Sequence, residues 1–182
     1  NLKELNGLGI DLWRDAQDHA AALTLFEHVM SYHDQPIPAE AKLWCKAASF
    51  NAGANLWRGW SDAPEISDAD ALRGMEFARL NLTLAYELKR GEIAIARAEW
   101  LLAAHQMQQG QWSSAIAGFE RSAGLALKAN ELAEERMSHA YALLAKQLQA
   151  GQVDEAALRA CFLPEDDAFF SDQVLDAAKA FS

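Results

Sequence analysis

A six-residue phrase recurs 41 residues further along this chain. Gly110–Ala115 reads GQWSSA, and Gly151–Ala156 reads GQVDEA. When residues 96–119 are aligned without gaps on residues 137–160, seven positions are identical. A repeat of this period is typical of stacked helices in which each unit packs mainly against its neighbours. The recurrence therefore predicts an array of helix pairs.

The rest of the sequence also favours helix over strand. The chain has only four prolines, and it has few of the β-branched residues that strands prefer. Apolar periodicity and helix-ending residues predict helices over 2–14, 18–32, 39–58, 67–90, 92–109, 112–128, 131–150 and 171–181, with a short helix after Gly151. We therefore predict an all-α fold and one helical-repeat domain spanning residues 1–182.

Short turns join most of these helices, so consecutive helices are predicted to lie antiparallel in pairs. The pairs cover about residues 2–36, 38–90, 92–130 and 131–163, and a capping helix covers 171–181. Within each pair, one small residue is expected where the two helices approach most closely. These residues are Ala22, Ala71, Ala115 and Ala156. Glycine adopts the left-handed conformation without strain, so Gly91, Gly110 and Gly151 are predicted to turn the chain between helices.

The central pair resembles the tetratricopeptide repeat family. A turn glycine, an aromatic residue, a small alanine, a phenylalanine and a second alanine follow in the family's order, as Gly110, Trp112, Ala115, Phe119 and Ala123. A looser match in the first pair comprises Gly9, Trp13, Ala22 and Phe26. The close-approach alanines are 49, 44 and 41 residues apart, against about 34 in the family. The resemblance implies a right-handed α-solenoid with a C-terminal capping helix; another helix-pair solenoid or an irregular bundle is the alternative.

The net charge of −10 limits the classes of partner. No stripe of lysine and arginine is present to neutralise phosphates, so nucleic acid and anionic membranes are not expected to bind. The acidity is interpreted first as a source of solubility, and second as an attraction for a basic partner. No apolar run is long enough to span a bilayer. We expect a soluble cytoplasmic protein, with a processed exported protein as the alternative.

The sequence contains no motif that indicates a cofactor, a metal or a catalytic centre. Cys45 and Cys161 are far apart in sequence and have no neighbouring thiol, so both are expected to be free, with a disulfide between them as the alternative. Glu135 and His139 stand one helical turn apart, which is equally common in helices without a metal. We therefore predict a protein that is not an enzyme and that holds neither cofactor nor metal.

The first helices of the pairs carry the candidate binding residues. The resemblance implies that these helices line a concave face on which large side chains anchor a peptide. The candidates on this face are Trp100, Tyr141, Met107, Gln108, Arg97, Asp11 and Arg14, and a second candidate site comprises Trp57 and Trp60 in a loop. The alternative is that the large side chains pack against adjacent helices, and that the two loop tryptophans pin the loop to the core.

We accordingly predict a scaffold that binds a protein or peptide without catalysis. The alternative function is a self-associating or ligand-sensing helical domain of a larger regulatory protein, for which a homodimer is expected.

Overall fold

A computed structural model describes residues 1–182 as nine α-helices without any strand. The helices are α1 (Leu2–Arg14), α2 (His19–Met30), α3 (Ala39–Asn55), α4 (Asp68–Glu87), α5 (Glu92–Gln108), α6 (Trp112–Lys128), α7 (Leu132–Ala150), α8 (Glu155–Arg159) and α9 (Ala168–Phe181). This confirms the all-α prediction. None of the helices combines the length and the apolar character that crossing a bilayer requires.

Four consecutive helices, α4 to α7, end in the same type of turn. In each turn one residue has positive φ, and its N–H and that of the next residue bond back to the carbonyls of the last helical turn. These left-handed residues are Lys89, Gly110, Asn130 and Gly151, at intervals of 21, 20 and 21 residues. The 41-residue recurrence in the sequence therefore corresponds to two helices and two turns of backbone structure.

One predicted turn residue is placed differently. Gly91 has a φ of −64° and precedes α5 as its N-cap, whereas Lys89 takes the left-handed conformation with a φ of 47°. The prediction for Gly91 is wrong because α4 ends at Glu87, so the left-handed position after it falls two residues earlier.

Each helix from α1 to α7 packs against the next helix in the chain. Contacts also join α1 to α3, α3 to α5 and α7 to α9. A larger apolar core lies among α5, α6, α7 and α9, and a smaller one lies among α1, α2 and α3. Burial of these apolar side chains stabilises the packing of the helices.

Three of the four predicted close-approach alanines lie between helices. Ala22, Ala71 and Ala115 are fully buried. Ala156 is exposed, so the prediction is wrong there. The reason is that α8 has only five residues, and it buries Leu158 in place of Ala156.

The capping helix begins earlier than predicted, at Ala168 rather than residue 171. The carboxylate of Asp167 accepts a hydrogen bond from the N–H of Phe169 at 3.0 Å, which caps the first turn. The preceding loop is fastened by an ion pair between Arg136 of α7 and Asp166. As a result, Phe169 and Phe170 belong to α9.

Cys45 and Cys161 are both free, as expected.

Candidate functional site

Two cavities are lined mainly by the odd-numbered helices and by the loop after α3, and we name the surface that carries their lining residues the odd-helix face. The α5–α7–α9 cavity has a volume of about 360 Å³ and is lined by Phe50, Trp60, Arg97, Trp100, Ser122, Glu134, Met137, Ser138, Phe169, Phe170 and Gln173. The α1–α3 cavity has a volume of about 330 Å³ and is lined by Ile10, Trp13, Arg14, Asn51, Asn55, Trp60, Asp62, Ala63 and Pro64. Both lie within the size range of ligand sites.

Trp60 lines both cavities. Its Nε1–H donates to the carbonyl oxygen of Ala54 at 2.7 Å, which holds the indole against the end of α3. Its ring packs edge-on to Trp57, with centroids 4.8 Å apart, and lies 5.9 Å from Trp100. The half-buried Trp60 indole is therefore a fixed wall between the two cavities.

A buried aromatic cluster supports the α5–α7–α9 cavity from below. The rings of Trp57, Trp100 and Tyr141 lie with centroids 5.3 to 5.9 Å apart in edge-to-face orientations, an arrangement that stabilises aromatic packing. Burial raises the pKa of the Tyr141 hydroxyl well above its ordinary value of 10. The Tyr141 hydroxyl and the indole N–H groups of Trp57 and Trp100 are all buried without a hydrogen-bond partner.

Two of the predicted binding residues are corrected by the structure. Tyr141 is 0% exposed and Met107 is 1% exposed, so a partner does not reach either side chain. Both belong to the core that α9 completes with Val174, Leu175 and Ala178. For Tyr141 and Met107 the packing alternative therefore holds, and α9 packs against α7, the helix that carries Tyr141.

Gln108 and Trp57 hold the loop after α3. The Oε1 of Gln108 accepts from the N–H of Arg58 at 2.7 Å, and its Nε2 donates to the carbonyl of Leu56 at 3.3 Å. Trp57 is fully buried, so it pins the loop to the core and leaves Trp60 as the accessible member of the loop pair.

Of the remaining predicted residues, Trp100, Arg97 and Arg14 line the two cavities and Asp11 does not. Trp100 is 6% exposed and lines the α5–α7–α9 cavity. Arg97 lines the same cavity and donates to both carboxylate oxygens of Glu134, and this hydrogen bonding raises the pKa of Arg97. Arg14 lines the α1–α3 cavity and pairs with Asp15 at 2.7 Å, whereas the exposed Asp11 is not part of either lining.

Several lining residues were missed by the sequence analysis. Ser122 and Ser138 line the α5–α7–α9 cavity and are hydrogen-bonded to each other at 3.0 Å. Phe169 is 59% exposed and stands beside Phe170 at the start of α9. The adjacent pair of phenylalanines was a usable signal, but the predicted start of α9 at residue 171 left both in a loop.

The structure holds no cluster of three or more histidine, cysteine, aspartate or glutamate side chains arranged to bind a metal ion. Comparisons with protein-family models, with curated proteins and with solved structures find no match to this chain.

Proposed function

We propose that this chain is a non-catalytic helical-repeat protein that binds an extended peptide, or an extended segment of a partner protein, on its odd-helix face. In this proposal the helix pairs stack as a right-handed solenoid similar to the tetratricopeptide repeat family, and α9 caps the stack.

The pattern of helix contacts supports the stacked arrangement. The odd-numbered helices pack against one another from α1 to α3, from α3 to α5 and from α7 to α9, whereas α2, α4 and α6 make no comparable contacts among themselves. The helices α5 and α7 do not pack closely either, and they are joined through the ion pair of Arg97 with Glu134. In a stack of helix pairs, the side on which the helices lie closer together is the concave side. The odd-helix face is therefore the concave side of the proposed solenoid.

The observation that carries the proposal is that Trp60 is shared by two cavities on this face. An extended chain directs alternate side chains to the same side. One bound segment can therefore place one side chain in each cavity and lay the intervening residue over the Trp60 indole. Rigid aromatic side chains are effective anchors for such binding, because they contribute a large contact area at a low entropic cost.

The charge of the protein adds a preference for the flanks of the bound segment. The net charge is −10, and Asp62 lines the α1–α3 cavity. A segment with basic residues outside its two anchoring side chains is expected to associate faster than a neutral or acidic one, and salt is expected to reduce the difference.

Selection from a displayed library of random peptides tests the proposal. We expect it to yield peptides with two large apolar residues separated by one residue. Phe169→Ala, which shortens an exposed side chain at the α5–α7–α9 cavity, is expected to weaken their binding by about tenfold. Leu127→Ala is the matched control, because Leu127 is 55% exposed on α6 and lines neither cavity. A selection that yields no binders, or binders that respond to Leu127→Ala and not to Phe169→Ala, contradicts the proposal.

A second candidate function, ligand sensing, is favoured by one observation. The Nε1–H of Trp100 is buried, has no partner, and belongs to a residue that lines a cavity. A small metabolite that occupied the α5–α7–α9 cavity alone would bind without any dependence on Arg14 or Asp62. If binding of the selected peptides depends on residues of both cavities, this result favours peptide binding over ligand sensing.

A further inference from the structure

The α5–α7–α9 cavity contains two charged side chains, and they neutralise each other. Arg97 donates from Nε to the two carboxylate oxygens of Glu134 at 3.2 and 3.0 Å, and from Nη2 to one of them at 2.5 Å. Because the fork of the guanidinium is already used on this carboxylate, neither side chain offers an unpaired charge to a ligand.

Three further polar groups of the lining are also satisfied. The Oγ–H of Ser122 donates to the carbonyl of Ala96 at 2.9 Å. A hydroxyl has one proton to donate, so in the 3.0 Å pair the donor is Ser138 and the acceptor is Ser122. The Nε1–H of Trp60 donates to Ala54.

Two polar groups of the lining are left without a partner. The Nε1–H of Trp100 is a buried donor with no acceptor, and a buried donor is destabilising for as long as it stays unsatisfied. The side-chain amide of Gln173, at the half-buried start of α9, makes no hydrogen bond within the chain, and it offers both a donor and an acceptor. The rest of the cavity wall is mainly aromatic, with Phe50, Phe169 and Phe170.

We infer that the α5–α7–α9 cavity is a subsite for one internal peptide residue with a large, uncharged apolar side chain. The side chain fills the aromatic cavity. The residue's backbone carbonyl accepts from Trp100, and its backbone amide group pairs with Gln173. A terminal carboxylate or ammonium group is rejected, because the cavity would bury that charge without a counter-ion. This inference rests on the proposed function, since it names the residue that such a peptide supplies.

Titration of the ¹⁵N-labelled protein with N-acetyl-phenylalaninamide tests the inference. This compound is a neutral mimic of an internal peptide residue. The chain has six tryptophans, so six indole N–H signals report on the probe, and Trp100→Phe assigns the signal of interest. We expect a saturable shift of the Trp100 indole signal. N-acetyl-phenylalanine, which carries a carboxylate, and phenylalaninamide, which carries an ammonium group, are each expected to bind at least about tenfold more weakly.

Two variants separate binding from folding. Trp100→Phe keeps an aromatic ring but removes the donor, and it is expected to weaken binding of the neutral probe by about tenfold. Gln173→Leu removes the amide at a half-buried position and is expected to weaken binding several-fold. Trp112→Phe is the matched control, because Trp112 lies at the start of α6 outside both linings, and its variant is expected to bind normally. Circular dichroism verifies that each variant keeps its helical content.

The inference is overturned if the Trp100 indole signal does not respond to the neutral probe, if either charged analogue binds as well as that probe, or if both variants bind it normally. These results are distinct from a failure of the proposed function. Selected peptides that bind the odd-helix face with a charged anchor leave the proposed function standing and refute the subsite. If the neutral probe binds but no peptide is selected, the subsite stands and the proposed function is refuted.

Discussion

The Nε2–H of His105 donates a hydrogen bond to the carbonyl oxygen of Gly53 at 2.9 Å, which joins α5 to α3 in the interior. The ring is fully buried, and its Nδ1 has no partner. Because burial disfavours the charged imidazolium, the pKa of His105 is lowered from 6.5 to about 4. Between pH 6.5 and about pH 4, His105 is therefore mainly neutral in the folded protein, whereas in the unfolded chain it is mainly protonated.

The free energy of unfolding is expected to fall as the pH is lowered from 6.5 towards 4, since the unfolded chain binds more protons at this site across that window. The difference between the two pKa values corresponds to a decrease of about 3 kcal/mol in the free energy of unfolding. Urea unfolding across this pH range measures the effect. His105→Gln removes the titrating ring and is expected to flatten the profile, whereas His139→Gln, at an exposed position, is expected to keep it. An equal slope in both variants contradicts the prediction.

Gly74 allows α4 to pack against this same imidazole. A Cβ at Gly74 would lie 2.4 Å from Cε1 of His105 and 2.9 Å from Cβ of Leu56. Neither neighbour can move aside easily, because both are buried between helices. Gly74→Ala is therefore expected to destabilise the protein by about 1–2 kcal/mol, even though alanine favours helix.

Gly124→Ala is the matched control for this substitution. Gly124 lies within α6, and a Cβ there would meet no atom within 4 Å. The control is expected to stabilise the protein by up to about 1 kcal/mol. Thermal unfolding compares the two variants, and a Gly74→Ala protein as stable as Gly124→Ala would refute the close packing of α4 on α5.

Asp166 positions the loop that leads into α9. Its carboxylate accepts two hydrogen bonds from Arg136 and one from the N–H of Leu163 at 2.8 Å. The bonds from Arg136 are the main reason that the pKa of Asp166 is held below its ordinary value of 3.8. The interaction of the ionised Asp166 with Arg136 stabilises the folded protein above pH 3.8, and this stabilisation is lost as the pH falls through the lowered pKa.

Asp166→Asn is expected to destabilise the protein by about 1–2 kcal/mol, because it removes the charge that holds Arg136. Amide exchange is expected to become faster over residues 163–170, and binding of N-acetyl-phenylalaninamide is expected to weaken because Phe169 and Phe170 are less well held. Asp172→Asn is the control, since Asp172 is exposed on α9 and makes no ion pair. Equal exchange rates in the two variants would show that the ion pair does not position the loop.

The turns differ in how far they could be predicted. Gly110 and Gly151 have φ angles of 69° and 71°, as predicted, because glycine after an apolar helix is a direct signal of a left-handed turn. Lys89 occupies the equivalent position at the end of α4. Lysine has no preference for that conformation, so the residue type alone does not reveal the turn. The 20- to 21-residue spacing of the turns would have located it.

The candidate site was less predictable than the fold. The resemblance implies that Trp100 and Tyr141 lie on the concave face, but it contains no information about which later helix covers that side. The burial of Tyr141 depends on α9. Tyr141 itself lies on α7, and α8 stands between these two helices in the chain. Trp60 lies in a loop, where no periodicity applies, and its position depends on a hydrogen bond to Ala54 and on packing against Trp57.

The most direct test of the account is hydrogen exchange of the protein with and without a peptide selected for binding. We expect protection on the odd-helix face, in the loop that carries Trp60, around Trp100 and at the start of α9, with little change along the outer side of α4 and α6. Protection confined to α4 and α6, or spread evenly over all helices, would contradict the assignment of the binding surface.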